Sequence, residues 1–165
     1  MNMDKLWAPW RIDYIRNDMQ NRDGCFFCDY QDDEENDREN LVLYRGKYNM
    51  VLLNYYPYNN GHLMVAPYIH TGSLSDLDAE TKLEMMELVD VSCRIMREKM
   101  SAEGFNVGLN IGAIAGAGVD DHLHMHIVPR WKGDTNFMPV LGHTKVISEG
   151  LQATWDNLID GFNKI

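Results

Sequence analysis

Between residues 41 and 67 short apolar runs alternate with turn residues. "LVLYR" (41–45) and "NMVLLN" (49–54) flank "GKY" and predict a hairpin. "YYPYNNG" (55–61) is turn chemistry, and "HLMVAP" (62–67) predicts a third strand ended by Pro67. The pattern then changes period. From residue 73 to 100 it fits one long helix, capped by Asp78 with Glu80 in its first turn. Leu83, Met86, Val89, Cys93, Met96 and Met100 step by three or four and predict its buried stripe. Cys93 lies in that stripe and reads as a core residue. "GFNVGLNIG" (104–112) and "HLHMHIV" (122–128) predict a fourth and a fifth strand, the latter ended by Pro129. A C-terminal helix follows, capped by Ser148, with Leu151, Trp155, Leu158, Ile159 and Phe162 as its apolar face. Strands, long helix, strands and short helix in that order predict an α+β fold with a five-stranded antiparallel sheet.

Two stretches lack such a pattern. "DDEENDREN" (32–40) has no apolar face to bury and reads as a solvated loop or a frayed helix. Residues 1–22 form an aromatic and basic arm, with Trp7, Trp10, Arg11, Tyr14 and Arg16, expected to pack on the body or on a second subunit. The 165 residues suit a single domain, 1–165, with that arm and a C-terminal extension from about 132 to 165. At 45% hydrophobic and 24% charged, the chain can bury a core. Its 15 basic and 25 acidic residues give a net charge of −10, which argues against general nucleic-acid or anionic-membrane binding. No apolar run approaches the ~20 residues that span a bilayer. The opening residues lack the apolar core and cleavage site of a secretory signal. Three cysteines and eleven methionines suit a reducing compartment, so a cytoplasmic protein is expected.

The candidate chemistry centres on "GAGVDDHLHMHIVPRW" (116–131). On a strand, His122, His124 and His126 project to one face at ~6.5–7 Å intervals, and Leu123, Met125 and Ile127 project to the other. An exposed strand with incidental histidine would suit one imidazole, not three. All three span ~13 Å, too far to share one tetrahedral ion without a bend. At most two can share a metal. Another is left for nucleophilic attack or proton donation near neutral pH. The glycine-rich "GLNIGAIAGAG", with Gly116 and Gly118, can present backbone N–H groups to phosphate oxygens beside Arg130. "CFFC" offers Cys25 and Cys28 as half a zinc site, with His70 and one strand histidine as further donors. The other readings are a redox pair, which lacks a thioredoxin-like context, and two buried free thiols. His62 and His143 are the remaining histidines.

"HLHMHIV" has the pattern His-φ-His-φ-His-φ-φ and, with "NGHLMVAPYIH", resembles the histidine triad family over roughly residues 25–130. "LWAPWR" and "PRWKGDTNFMPVLGHTKV" are similar to segments of the family's bacterial diadenosine tetraphosphate phosphorylases and hydrolases. The resemblance implies an antiparallel sheet with a long helix, in a homodimer or higher homo-oligomer. It implies that His124 attacks the α-phosphorus, that His126 binds or protonates phosphate oxygens near the leaving group, and that His62 supports them. Asn54 matches a ribose-contacting position, and Asn110 lies where phosphate and backbone contacts are expected. In the related galactose-1-phosphate uridylyltransferase a cysteine pair and two histidines bind structural zinc. Carried over, that set is Cys25, Cys28, His70 and His122. One departure concerns substrate: the family's dinucleoside triphosphate hydrolases have a glutamine shortly before the triad, where this chain reads "AGAGVDD". Asp121 should face away from His122.

The leading expectation is therefore a nucleotidyl hydrolase or transferase that cleaves a dinucleoside polyphosphate through a nucleotidyl-histidine intermediate. The alternative is a nucleotide-binding sensor or scaffold with negligible turnover. A hydrolase using zinc-bound water is disfavoured, because four protein ligands leave no open position.

Overall fold

The computed structural model describes residues 24–134 and 147–165. A short helix α1 (Phe26–Gln31) precedes strands β1 (Val42–Arg45), β2 (Asn49–Leu53) and β3 (Leu63–Pro67). The long helix α2 (Ala79–Met100) leads to β4 (Gly104–Leu109) and β5 (Met125–Arg130), and α3 (Leu151–Phe162) closes the chain. The five strands form one sheet in the order β1-β2-β3-β5-β4. Every neighbouring pair is antiparallel, as the alternating pattern predicted.

The sheet is apolar on both faces. On one, Val51, Leu53, Leu63, Val65 and Ile127 join the main core with α2 and α3. On the other, Val42, Met50, Leu52, Met64 and Ala66 pack with Phe27 of α1. A bulge between Val42 and Tyr44 adds one residue to β1, so that Leu43 and Tyr44 both pack towards the main core. Leu41, just before it, is buried with φ 61. Such backbone costs a non-glycine residue about 1–3 kcal/mol and persists only where its surroundings fix it.

Asp78 caps α2 as expected, its Oδ1 accepting from Thr81 N–H at 2.8 Å. The phase of the stripe differs from the expectation. Val89, Cys93 and Met96 are buried and Met100 is partly so, but Leu83 is 61% and Met86 54% exposed. The buried face begins instead with Thr81, Met85 and Leu88 and includes Ser92 and Ile95. Two successive steps of three each fall about 60° short of a helical turn, which carries Leu83 roughly 120° away from Val89. The small polar Thr81 and Ser92 take core positions that a hydrophobicity pattern assigns to solvent.

Glu84 ties this helix to the β1–β2 hairpin. Its carboxylate accepts from the backbone N–H groups of Lys47 at 2.7 Å and Tyr48 at 2.8 Å, and from Asn49 Nδ2 at 2.8 Å. Glu84→Ala is expected to cost about 2–3 kcal/mol, because three donors lose a charged acceptor. Thermal unfolding would register this as a drop in Tm of roughly 5–10 °C.

Four other boundaries move. Pro129 does not end the last strand: it pairs with Phe105 of β4, beyond the last β3 pairing at Ile127, so no ladder needs its missing N–H. The same strand starts only at Met125, because the His122 side chain takes the Pro67 carbonyl and Leu123 N–H donates to Thr71. β4 stops at Leu109, ahead of Gly112 at φ 82. Gly150, with no side-chain bond, replaces Ser148 as the cap of α3. Within α3, Leu158 and Phe162 are buried, and Trp155 Nε1 donates to the Val42 carbonyl at 2.7 Å.

The acidic run is mostly exposed turn, in line with the solvated loop or frayed helix expected, and polar bonds shape it. It contains a 3-10 turn at Glu34–Asn36, an Arg45–Asp37 ion pair at 2.7 Å and an Arg38–Asp156 pair at 2.8 Å. Polar side chains hold it, and hydrophobic periodicity does not register them. The aromatic arm, His143 and residues 135–146 of the segment after the triad lie outside the described residues.

Candidate active site and metal centre

β5 and the extended residues before it place all three triad histidines in the interior. Leu123 and Ile127 enter the main core on the opposite side, so the alternation predicted from period two holds. The Phe27 ring lies 4.9 Å from that of His122 and 5.1 Å from that of His124. The His124 and His126 rings are 4.8 Å apart.

His122 turns away from its two companions. Its Nε2 faces the Pro67 carbonyl at 2.8 Å, which fixes the proton there and leaves the Nδ1 lone pair free. Around that Nδ1 stand Cys25 Sγ at 3.2 Å, His70 Nδ1 at 3.3 Å and Cys28 Sγ at 3.7 Å. Cys28 Sγ is 3.3 Å from His70 Nδ1, and the four donor atoms all lie within 4.8 Å of one another. Tetrahedral zinc with Zn–N ~2.0–2.1 Å and Zn–S ~2.3 Å separates its ligand atoms by about 3.3–3.8 Å, so the set fits that ion. Burial, followed by the neighbouring Cys25, pushes the Cys28 thiol up to about 11. A cation among the four donors would oppose that shift.

Cys25 caps the start of α1, so the pair does open a short helix, but the all-antiparallel sheet is not a thioredoxin context. Asp121 is a member of this region that the sequence reading did not assign. Its Oδ2 lies 3.4 Å from His70 Nε2, where a carboxylate orients a ligating imidazole. Only the fold makes that approach visible.

His124 and His126 face a cavity of about 540 Å³. His124 Nδ1 is 2.8 Å from the His122 carbonyl, which can only accept; the proton therefore resides on Nδ1 and Nε2 carries a lone pair. Burial lowers the pKa of His124, so that lone pair is available at neutral pH. A second chain of bonds fixes His126. Tyr58 N–H donates to His62 Nδ1 at 3.0 Å, so His62 is protonated at Nε2 and donates to His126 Nδ1 at 2.9 Å. Neutral His126 then carries its own proton on Nε2, and the Asn110 amide 3.4 Å away can accept it only with its oxygen turned to that atom. Burial, and after it His124, lowers the His126 pKa to about 4. Asn54 lies within 3.4 Å of His62 Nδ1 and accepts from Tyr56 N–H at 2.8 Å.

Asn54, Gly116 and Gly118 line the same cavity, whereas His62 and Asn110 do not. Nothing lies within 4 Å of a Cβ built on Gly116 or Gly118, so packing does not demand glycine there, although Gly116 has φ 89. Leu52, Met64, Phe26 and Val119 supply an apolar wall. The arrangement combines an unprotonated imidazole nitrogen, an N–H donor beside it and an apolar slot of ligand size.

The chain matches the family model "HIT domain" over residues 35–133. It is 39% identical over 157 residues to the AP-4-A phosphorylase of Mycobacterium tuberculosis, an alignment that covers 92% of this chain and 80% of that protein. Among solved structures it is similar to a Zn-bound histidine triad family protein from Mycobacterium smegmatis, with TM-score 0.68, 25% identity and coverage of 86% and 94% of the two chains. A hypothetical histidine triad nucleotide-binding protein from Sulfolobus tokodaii matches with TM-score 0.66, 25% identity and coverage of 85% and 93%.

Proposed function

Because the chain belongs to the HIT domain family, we propose that it is a nucleotidyl hydrolase or transferase that cleaves dinucleoside polyphosphates such as diadenosine tetraphosphate. The observation that carries this reading is the His124 Nδ1 contact with the His122 carbonyl, which leaves Nε2 as a nucleophile on the cavity wall. In the first step Nε2 bonds to the α-phosphorus while the bond from phosphorus to the departing polyphosphate oxygen breaks. The His122 carbonyl stabilises the positive charge that develops on the ring. His126 donates its Nε2–H to phosphate oxygen, and His62 holds it in that tautomer. Water or phosphate then displaces His124 and restores the neutral imidazole. Asn54 would contact the ribose. Asn110 and the backbone at Gly116 and Gly118 would contact the phosphates.

Cys25, Cys28, His70 and His122 would hold a structural zinc, an assignment supported by the clustering of their donor atoms and by the Zn-bound relative. Its chemistry there is that of a tether, since four protein ligands close the coordination sphere. We read residues 1–165 as one domain with an arm over about 1–22 and an extension over about 132–165. A homodimer or higher homo-oligomer is supported by β4, an outermost strand whose Asn106, Val107 and Gly108 are exposed. No helix among the described residues is long and apolar enough to cross a membrane. Free cysteines and a charge of −10 support a cytoplasmic protein that does not bind nucleic acid.

Product analysis with diadenosine tetraphosphate, with and without phosphate, tests this function. ADP plus ATP, appearing only with phosphate, would mean phosphorolysis, the outcome favoured by the mycobacterial relative. AMP plus ATP would mean hydrolysis. Tight binding without either pair of products would instead indicate a sensor.

A further inference from the structure

The acidic run has no part in the chemistry above, yet its last residue, Asn40, lines the catalytic cavity. The sheet register gives the distance. His126 pairs with Met64, Met64 with Leu52, and Leu52 with Val42, all on the face opposite α2. Three strand spacings of ~4.8 Å put Val42 roughly 14 Å from His126, about the reach of an extended nucleoside 5′-phosphate. With its phosphorus at His124 and its ribose at Asn54, such a ligand would bring the far edge of its base to Asn40, with Leu52 and Met64 beneath it.

Asn40 is a fixed reader rather than a rotating one. Its Nδ2 donates to Asp33 Oδ2 at 2.8 Å, and Asp33 Oδ1 accepts from Asn36 Nδ2 at 2.7 Å. A carboxylate only accepts, so the Asn40 amide cannot be reversed without losing that bond. The same two bonds hold the Asp33 carboxyl below its usual range and keep it an acceptor at neutral pH. Asn40 N–H donates to the Asn36 carbonyl at 2.8 Å, and the positive φ of Leu41 sets the turn that follows. The bond to Asp33 fixes the Nδ2 end of the amide and leaves Oδ1 at its other end as the acceptor.

We infer that Asn40 selects the base, its Oδ1 accepting from the 6-amino group of adenine, and that Asp33 is the positioning residue that keeps the amide in this orientation. A 6-oxo purine would oppose acceptor to acceptor. The inference rests on the reading of the cavity as a nucleotide site.

Equilibrium binding of AMP and IMP, which differ at position 6, tests it without requiring turnover. The full chain is expected to bind AMP about tenfold more tightly than IMP, as befits one hydrogen bond at a half-buried site. Asn40→Ala should bring the two within about twofold by weakening AMP. Asp33→Ala frees the amide to turn its Nδ2 towards the base, so it should reach a similar ratio by strengthening IMP; a purely structural loss would weaken both ligands together. Equal affinities in the wild type, or an undiminished preference in Asn40→Ala, would overturn the inference and leave the proposed function standing. Failure of both nucleotides to bind would overturn both.

Discussion

Replacing His124 by alanine is expected to lower dinucleotide cleavage by about 10⁴-fold or more, the loss seen when a covalent nucleophile is removed. Nucleotide affinity should stay within a few-fold, since Asn54 and the apolar wall remain. The ring cannot be replaced by a neighbour. His122 is turned away towards Cys25, Cys28 and His70, and neutral His126 has no lone pair to offer the cavity, since Nδ1 accepts from His62 and Nε2 carries the proton. His126→Ala should do less, on the order of 10²–10⁴-fold, because it removes a proton donor and not the bond-forming atom. Steady-state kinetics with diadenosine tetraphosphate, alongside AMP binding, check this. Cleavage by His124→Ala at the wild-type rate would refute its role.

The second large effect concerns the metal centre. Purified protein is expected to contain about one zinc per chain, and Cys25→Ser should lower both zinc content and Tm. Binding free energy at a structural site is folding free energy. A loss of a few kcal/mol corresponds to a drop in Tm of roughly 10 °C in a chain of this length. The effect should also reach the nucleophile. His122 would supply a ligand through its ring and, through its backbone carbonyl, provides the acceptor for His124 Nδ1. Phe27, between the two cysteines, lies against both imidazoles. Loosening the metal site therefore loosens the group that sets the His124 tautomer. Elemental analysis and thermal unfolding of both proteins measure this; wild-type zinc content and Tm in Cys25→Ser would contradict it.

Much of this was legible in the sequence because it depends on short-range periodicity. Period two put His122, His124 and His126 on one face and Leu123 and Ile127 on the other, and the CxxC spacing offered Cys25 and Cys28 as half a metal site. Distance along a strand argued only that the three histidines divide their work; the role given to each came from the family resemblance. What the sequence did not disclose depends on neighbours that only the fold supplies. The buried face of α2 contains Thr81 and Ser92, which packing selects for size rather than hydrophobicity. Asp121 meets His70 from a distant part of the chain, and Tyr58 N–H reaches His62, four residues on, through an irregular turn; periodicity encodes neither. The acidic run read as solvent because it has no apolar face, yet its last residue, Asn40, lines the cavity and is held there by Asp33.

The central claim is a covalent bond between His124 and the nucleotide, and stereochemistry at phosphorus tests it most directly. A dinucleoside polyphosphate bearing a chiral phosphorothioate at the α position would be cleaved by the wild-type protein and the configuration of the product determined. Two in-line displacements, the first by His124 and the second by water or phosphate, predict overall retention. Inversion would mean a single direct displacement and would contradict the account.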